Sequence, residues 1–276
     1  MLNETRPRNA AMIVSVYKND TLPVVKEMFQ SLFVQSRKEF DILVQEDGRV
    51  DPELDAYLDA LYRQKKITHL GKREQNMGLA YSLNELVEFA LQQEYAFIFR
   101  MDADDIAVPK RIEQQLDYFK THPETDILGG WIEEFNTDTG ARQRISYPEY
   151  HDDILSHMVK RNPMAHVTVA FRTSFFRRFG HYDENSRNED FRLWVEAFDK
   201  GARFHNLQEV LVYVRTNNAF YSRRKNRARA IEVMKIKFDA TRRFNFGIKG
   251  YLYALTHYLL FMAPSVIKQV VYKYFR

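Results

Sequence analysis

The stretch EYAFIFRMDADDIAVPKR, Glu94–Arg111, decides how the chain is read. Tyr95–Phe99 is an unbroken apolar and aromatic run of the kind that forms a buried strand. Arg100 closes it. Asp102, Asp104 and Asp105 then crowd three carboxylates into four positions. Charges this close repel one another. A cation must sit among them, or they must be fully solvated. Acids at the end of a buried strand suit a parallel α/β sheet, where ligands bind at the carboxyl ends of the strands.

The sequence on either side repeats the pattern. AAMIVSVYKND (Ala10–Asp20) is a short buried strand running into polar residues. Val24, Val25, Met28, Phe29, Leu32 and Phe33 follow at helical spacing. EFDILVQEDGR is a second strand, ending in Glu46, Asp47 and a glycine. DPELDAYLDALYRQ is a helix with Asp51 as N-cap and Pro52 in its first turn. ITHLGK is a weak strand, and NMGLAYSLNELVEFALQQ is a helix opening on a glycine turn. Alternating strands and helices with near-continuous apolar strands predict a mainly parallel sheet covered on both faces. Downstream, RIEQQLDYFKTHP is a helix and DILGGWIEEF a strand. HVTVAFRTSFFRRFG holds a strand and a short helix, NEDFRLWVEAFDKG is a helix, and EVLVYVR is a strand. The expected organisation is one α/β domain over residues 1–216, with a first half near 10–111 and a second near 112–216. A helical extension covers 217–276.

The 276 residues contain no cysteine, which excludes a disulfide framework and a thiolate metal site and fits a reducing cytoplasm. The opening MLNETRPRNAAMIVSVY has no long apolar core, so no secretory leader is expected. The net charge of +4 conceals an asymmetry: Gly201–Arg276 holds 15 Lys and Arg against 3 acids, the first 200 residues 26 against 34. The basic quarter contains YSRRKNRAR, with Arg223 and Arg224. It also contains a 13-residue apolar run, Tyr251–Ala263, ended by Pro264. That run is too short to span a bilayer. Lys, Arg, Tyr and Phe together suit a helix lying in a membrane interface. Two helices packed on the domain or on a partner would read the same way.

The Asp102-x-Asp104 spacing can hold a hard divalent cation shared with substrate phosphates. An acidic turn capping the next helix is the plain alternative. A calcium loop does not fit, because no glycine and distal glutamate follow at its spacing. An aspartyl-nucleophile phosphatase would also place Asp-x-Asp after a strand, but the sequence offers no recognisable supporting lysine.

From about Ala11 to Arg215 the order of motifs resembles the family 2 glycosyltransferases, inverting enzymes of the GT-A fold. The resemblance rests on IVSVYKND, ILVQEDG, NMGLAYSLN, RMDADD, NPMAHVTVAFR and NEDFRLWVEA taken together. The wording is most similar to the bacterial branch that builds O-antigen and exopolysaccharide units on a lipid carrier, the amylovoran-type transferases. The resemblance makes the two halves of the domain, near 10–111 and near 112–216, the nucleotide-binding and acceptor halves of a catalytic domain. It implies a nucleotide-sugar donor, most simply UDP-linked, and Mn²⁺ or Mg²⁺ as cofactor. The implied acceptor is a sugar on a polyprenyl diphosphate, with lipopolysaccharide core as the alternative. It further implies a peripheral position on the cytoplasmic face of the inner membrane, held by the C-terminal helices, and no nucleic-acid partner. A non-catalytic nucleotide- or nucleic-acid-binding protein using the basic quarter is the rival from another class.

Residue by residue, the resemblance places Glu46 and Asp47 against the nucleotide, with Ser15 and Tyr17 lining the same pocket. The family usually carries Asp-Asp-Gly-Ser where this chain has Glu-Asp-Gly-Arg. Asn76, Gly78 and Leu79 would bound nucleotide and sugar. Asp102 would face ribose or metal, Asp104 would be the main metal ligand, and Asp105 would contact the donor sugar or, as the favoured alternative, cap the following helix. Arg73 and Arg100 would offset this acidic floor. Asp190, with Glu189 beside it, would take the proton from the acceptor hydroxyl. The same pair also places negative charge at a helix N-terminus. His166 and Trp194 are candidates for acceptor contacts, though both residue types also suit a core. Arg223 and Arg224 are candidates for a diphosphate.

Overall fold

A computed structural model describes residues 9–217 and 227–262. β1 (Ala10–Tyr17), β2 (Asp41–Asp47), β3 (His69–Lys72) and β4 (Phe97–Asp102) form the parallel half of one sheet, in the order β3-β2-β1-β4. Three helices make the crossovers: α1 (Leu22–Phe33), α2 (Pro52–Arg63) and α3 (Leu79–Gln92). The sheet continues from β4 through β8 (Ala170–Arg172), β6 (Ile127–Asn136) and β9 (Phe204–Thr216) to β5 (Ile106–Ala107). β7 (Arg142–Ile145) pairs on the distal end of β6. β8 runs antiparallel to both β4 and β6, so the sheet changes direction beside β4.

The local signals explain the helices. Asp51 accepts the Glu53 N–H at 2.9 Å, with Pro52 in the first turn. Leu54, Leu58 and Leu61 then bury one stripe of α2, each contributing about 1.5–3 kcal/mol. Alternation along the strands divides the core in two. Met12, Val14, Val44, Phe99 and Met101 pack with α1, α2 and α4 (Arg111–Thr121). Ala11, Ile13, Leu43 and Ile98 pack with α3, α6 (Ser174–Phe179) and α7 (Glu189–Asp199).

The half of the domain after β4 differs in detail from the sequence expectation. α5 (His151–His157), β5 and β7 are elements that the periodicity did not announce. They are too short, or too polar, to carry a period. HVTVAF is not one strand: His166–Thr168 is a 3-10 turn, and only Ala170–Arg172 is β.

The C-terminal quarter is helical where described: α8 (Arg227–Arg243) and α9 (Gly247–Met262). α8 belongs to the catalytic body, since Ile236 and Ala240 lie in the core with α7. No helix of the described residues is long and apolar enough to cross a membrane. Arg223, Arg224 and the segment beyond Met262 lie outside the described residues.

Candidate active site

The opening question has a physical answer at the end of β4. Carboxylate oxygens of Asp102, Asp104 and Asp105 lie within 4.8 Å of one another. Three arginines offset them. Arg100, 3% exposed, grips Asp102 through two nitrogens, with Nη1 to Oδ2 at 2.6 Å. Arg111 is fully buried beneath, its Nη2 donating to the Arg100 carbonyl at 2.7 Å. Arg215, brought over by the β5–β9 pairing, donates its backbone N–H to Asp105 Oδ1 at 2.8 Å. Its Nε donates to the Asp104 carbonyl at 3.0 Å. Asp105 is therefore a buried brace between strands and caps no helix. α4 begins six residues on, after Lys110. Neither Asp104 nor Asp105 forms a salt bridge among the described residues, and burial plus the Asp102 charge push the Asp104 carboxyl up to about 6. Asp20, from the β1–α1 turn, adds a fourth carboxylate. It accepts the Tyr17 N–H at 2.9 Å, and burial pushes it up to about 7, with further upward pressure from Asp104 and Asp102.

Glu46 and Asp47 end β2 next to β1, and strand alternation gives them different surroundings. Asp47 is almost wholly engaged by the protein. It accepts Arg73 Nη2 at 2.8 Å, Asn76 Nδ2 at 2.9 Å, and the N–H groups of Met77 and Gly78 at 2.7 and 3.0 Å. It thereby folds the turn that opens α3. Gly48 serves the same turn: it has φ +81°, and a Cβ there would sit 2.8 Å from the Asn76 nitrogen. Gly78 has φ +96°, and Leu79 is the first residue of the helix. Glu46 is buried, yet its Oε1 has no hydrogen-bond partner. Lys72 Nζ stands 3.6 Å away and is shared with Asp59 at 2.7 Å. Burial pushes the Glu46 carboxyl up to about 7. Ser15 pairs in register with Gln45 and with Asp102 on either side. Tyr17 is 38% exposed at the rim. Ser15, Tyr17, Glu46, Asn76, Gly78 and Leu79 thus gather at the carboxyl ends of β1 and β2, beside the Asp102 floor.

The second carboxylate pair comes from α7. Asp190 Oδ2 accepts Asn162 Nδ2 at 2.6 Å. Glu189 is pushed up to about 7 by burial and then by the Asp190 charge, with Arg100 and Arg229 pulling the other way. Arg100, paired with Asp102, thus also acts electrostatically on the first turn of α7. The start of α7 is tied to α8: Glu232 accepts Ser186 Oγ at 2.6 Å and Asn188 Nδ2 at 3.1 Å.

Trp194 parts company with the acceptor reading, whereas His166 is half-buried. Trp194 is fully buried among Phe171, Phe204 and His166, so no sugar can stack on it. It is a core residue, placed one turn after Asp190 because that face of α7 points inward. His166 shares 2.9 Å with the Tyr182 hydroxyl. Burial and Arg100 hold it well below the ordinary histidine value. It is a neutral polar contact inside the wall.

Residues 12–229 match the model of glycosyl transferase family 2. The chain belongs to that family. An uncharacterized glycosyltransferase from Haemophilus influenzae is 32% identical over 277 aligned positions, covering 96% of this chain and 98% of that one. The UDP-Gal:alpha-D-GlcNAc-diphosphoundecaprenol beta-1,3-galactosyltransferase of Escherichia coli is 27% identical, with 95% and 94% covered. Among solved structures, S. aureus TarS 1-349 in complex with UDP-GlcNAc superposes with a TM-score of 0.60 at 17% identity, covering 92% of this chain and 82% of that one. The mixed, mostly parallel sheet flanked by helices is the GT-A fold.

The donor set of this glycosyltransferase fits a hard divalent cation. Asp104 is the exposed carboxylate with no side-chain donor among the described residues, Asp102 is paired with Arg100, and Asp105 is buried with one oxygen on the Arg215 N–H. A cation held by one or two carboxylates with substrate phosphates needs no more than this. The sequence reading passed over Asp20, Asn162, Tyr182 and Arg215. Each acts through a contact distant in the chain or through a turn, and no local motif marks it.

Proposed function

We propose that the protein is an inverting, metal-dependent hexosyl- or N-acetylhexosaminyltransferase. Its donor is a UDP-sugar and its acceptor a sugar on a polyprenyl diphosphate. The observation that carries the reading is the cluster of Asp102, Asp104 and Asp105 within 4.8 Å of one another at the end of β4, with an exposed Asp104, together with the Glu189–Asp190 pair that opens α7.

In this account Glu46, Ser15 and Tyr17 line the nucleotide pocket. Asp47 acts from behind, holding Asn76, Gly78 and Leu79 in place. Asp104, with Asp102, would hold Mn²⁺ or Mg²⁺, which when bound would supply positive charge to offset that building on the leaving diphosphate. Asp190 takes the proton from the acceptor hydroxyl as it attacks the anomeric carbon. The bond from that carbon to the diphosphate oxygen breaks in the same displacement, which inverts the configuration.

A lipid-borne acceptor requires access to a membrane surface. What supports it is α9, where Ile248, Leu252, Leu255, Leu259 and Met262 recur at three- and four-residue steps with 44–71% exposure. Lys249 is its one charged residue. Such a face lies in the headgroup boundary of a bilayer, on the cytoplasmic side where the donor is made.

The test is acceptor-dependent UDP release, with Mn²⁺, from UDP-glucose, UDP-galactose and their N-acetylhexosamine counterparts. A lipid-linked N-acetylglucosaminyl diphosphate serves as acceptor. Release that needs both acceptor and metal supports the reading. Tight metal-independent binding of nucleic acid without sugar transfer would replace it with the binding-protein alternative.

A further inference from the structure

Asn162 sits 28 residues before Asp190, in the loop after α5, yet its side chain donates to Asp190 at 2.6 Å. Nothing local to either residue makes this contact, so the loop must be held in place for it. Three anchors hold it. The Lys160 carbonyl accepts the buried Lys237 ammonium of α8 at 2.6 Å. Pro163 restricts the backbone directly after Asn162, and its carbonyl accepts Asn206 Nδ2 of β9 at 3.2 Å. The Asn162 amide oxygen itself receives the Met164 N–H at 3.4 Å. Asn162 is half-buried and Asp190 half-buried, so neither floats in solvent.

The consequence for Asp190 is geometric. Its Oδ2 is occupied by the amide, while Oδ1 has no partner among the described residues. One oxygen is pinned and the other is left for a ligand. We infer that Asn162 is a positioning residue for the reaction: it fixes the Asp190 carboxylate with Oδ1 toward the acceptor hydroxyl. This rests on the reading of Asp190 as the base.

The neighbouring charges favour the same division. Glu189 lies alongside on α7, and Arg229 of α8 donates its Nε to Asn188 Oδ1 at 3.0 Å just before it. Glu189 receives no side-chain donor among the described residues, and burial raises its carboxyl to about 7; the Asn162 amide goes to Asp190 instead. A carboxylate free to rotate would spend much of its time misdirected, and misplacement by about 1 Å costs on the order of 10²-fold.

Asn162→Ala removes the donor, and Asn162→Asp replaces it with an isosteric acceptor of like charge. Both are compared with wild type and Asp190→Asn. The assay is UDP release from the four UDP-sugars with the lipid-linked acceptor, across pH 5–9. UDP affinity with Mn²⁺ and Tm are measured alongside. The expected result is a kcat lowered about 10- to 100-fold in Asn162→Ala, and lower still in Asn162→Asp. The acid limb of the profile moves to higher pH, while UDP affinity and Tm stay near wild type. Asn162→Asp keeps the volume of the native residue and serves if the alanine variant is poorly folded. Wild-type kcat and an unmoved acid limb in both folded variants, with Asp190→Asn inactive, would overturn the positioning role alone. Wild-type turnover in Asp190→Asn would overturn the base assignment and this inference together.

Discussion

Arg73 and Asp47 form a buried pair, with Nη2 2.8 Å from Oδ1 and the two side chains 15% and 4% exposed. The carboxylate also takes two backbone N–H groups from the turn before α3. Asp47→Ala takes the acceptor from the Met77 and Gly78 N–H groups and from Asn76, while Arg73 keeps Glu85 and Ser82. Breaking such a pair costs about 3–5 kcal/mol, and denaturant melts should show it together with weakened UDP binding. Glu46→Gln, one residue earlier, should leave stability within about 1 kcal/mol, because Glu46 already has an unpartnered oxygen, and should change UDP binding alone. Equal stability losses in the two variants would contradict this division.

Asp104 and Asp190 separate binding from chemistry. Asp104→Ala should abolish the Mn²⁺-dependent part of UDP affinity, read by titration calorimetry. Asp190→Asn should bind UDP as wild type does and lose about 10²–10⁴-fold in kcat. Loss of nucleotide binding in Asp190→Asn would place that residue in the donor pocket instead.

Trp194 tests packing against recognition. Trp194→Ala should cost about 3–5 kcal/mol, as large-to-small changes in a closed core do. Trp194→Phe should keep the acceptor KM within about twofold, because a buried ring makes no substrate contact. A tenfold rise in acceptor KM at unchanged Tm would restore the stacking role.

These tests follow the boundary between what the residues announced and what they did not. The parallel half was legible because its strands are continuous apolar runs and its helices carry clear stripes, as in Leu54, Leu58 and Leu61. The acidic strand ends were legible because carboxylates there need a reason. The misreadings share one cause: a side chain's partner lay far away in sequence. Asp105 looked like a cap because a helix follows, but its acceptor is used by Arg215, 110 residues on. Trp194 sat at the right spacing from Asp190 for a stacking role, but α7 turns that face into the core. Asp47 looked like a nucleotide contact, and only the fold of the Asn76–Gly78 turn reveals how fully it is engaged.

Lys237 gives the fold a pH signature. It is 2% exposed in α8, bonded to the Lys160 carbonyl and 3.1 Å from His257 Nδ1. Burial lowers its ammonium from 10.5 to about 8. Between those values the unfolded chain binds a proton that the folded chain has released, so stability should rise with pH there, by at most about 1.4 kcal/mol per pH unit. His157 and His257 are held down to about 4 by burial and nearby cations. By the same sign, stability should fall as pH drops from about 6.5 toward 4. Urea melts of wild type and Lys237→Met check this: the alkaline slope should vanish in the variant and the acid slope should remain. An alkaline slope that survives in Lys237→Met would assign it to another group.

The most direct measurement is acceptor-dependent sugar transfer by the full chain with Mn²⁺, run beside Asp104→Ala and Asp190→Asn. The product linkage is read by NMR. The account predicts that one UDP-sugar transfers to the lipid-linked acceptor with inverted anomeric configuration, and that both variants lose turnover. Retained configuration, or turnover surviving in either variant, would contradict it.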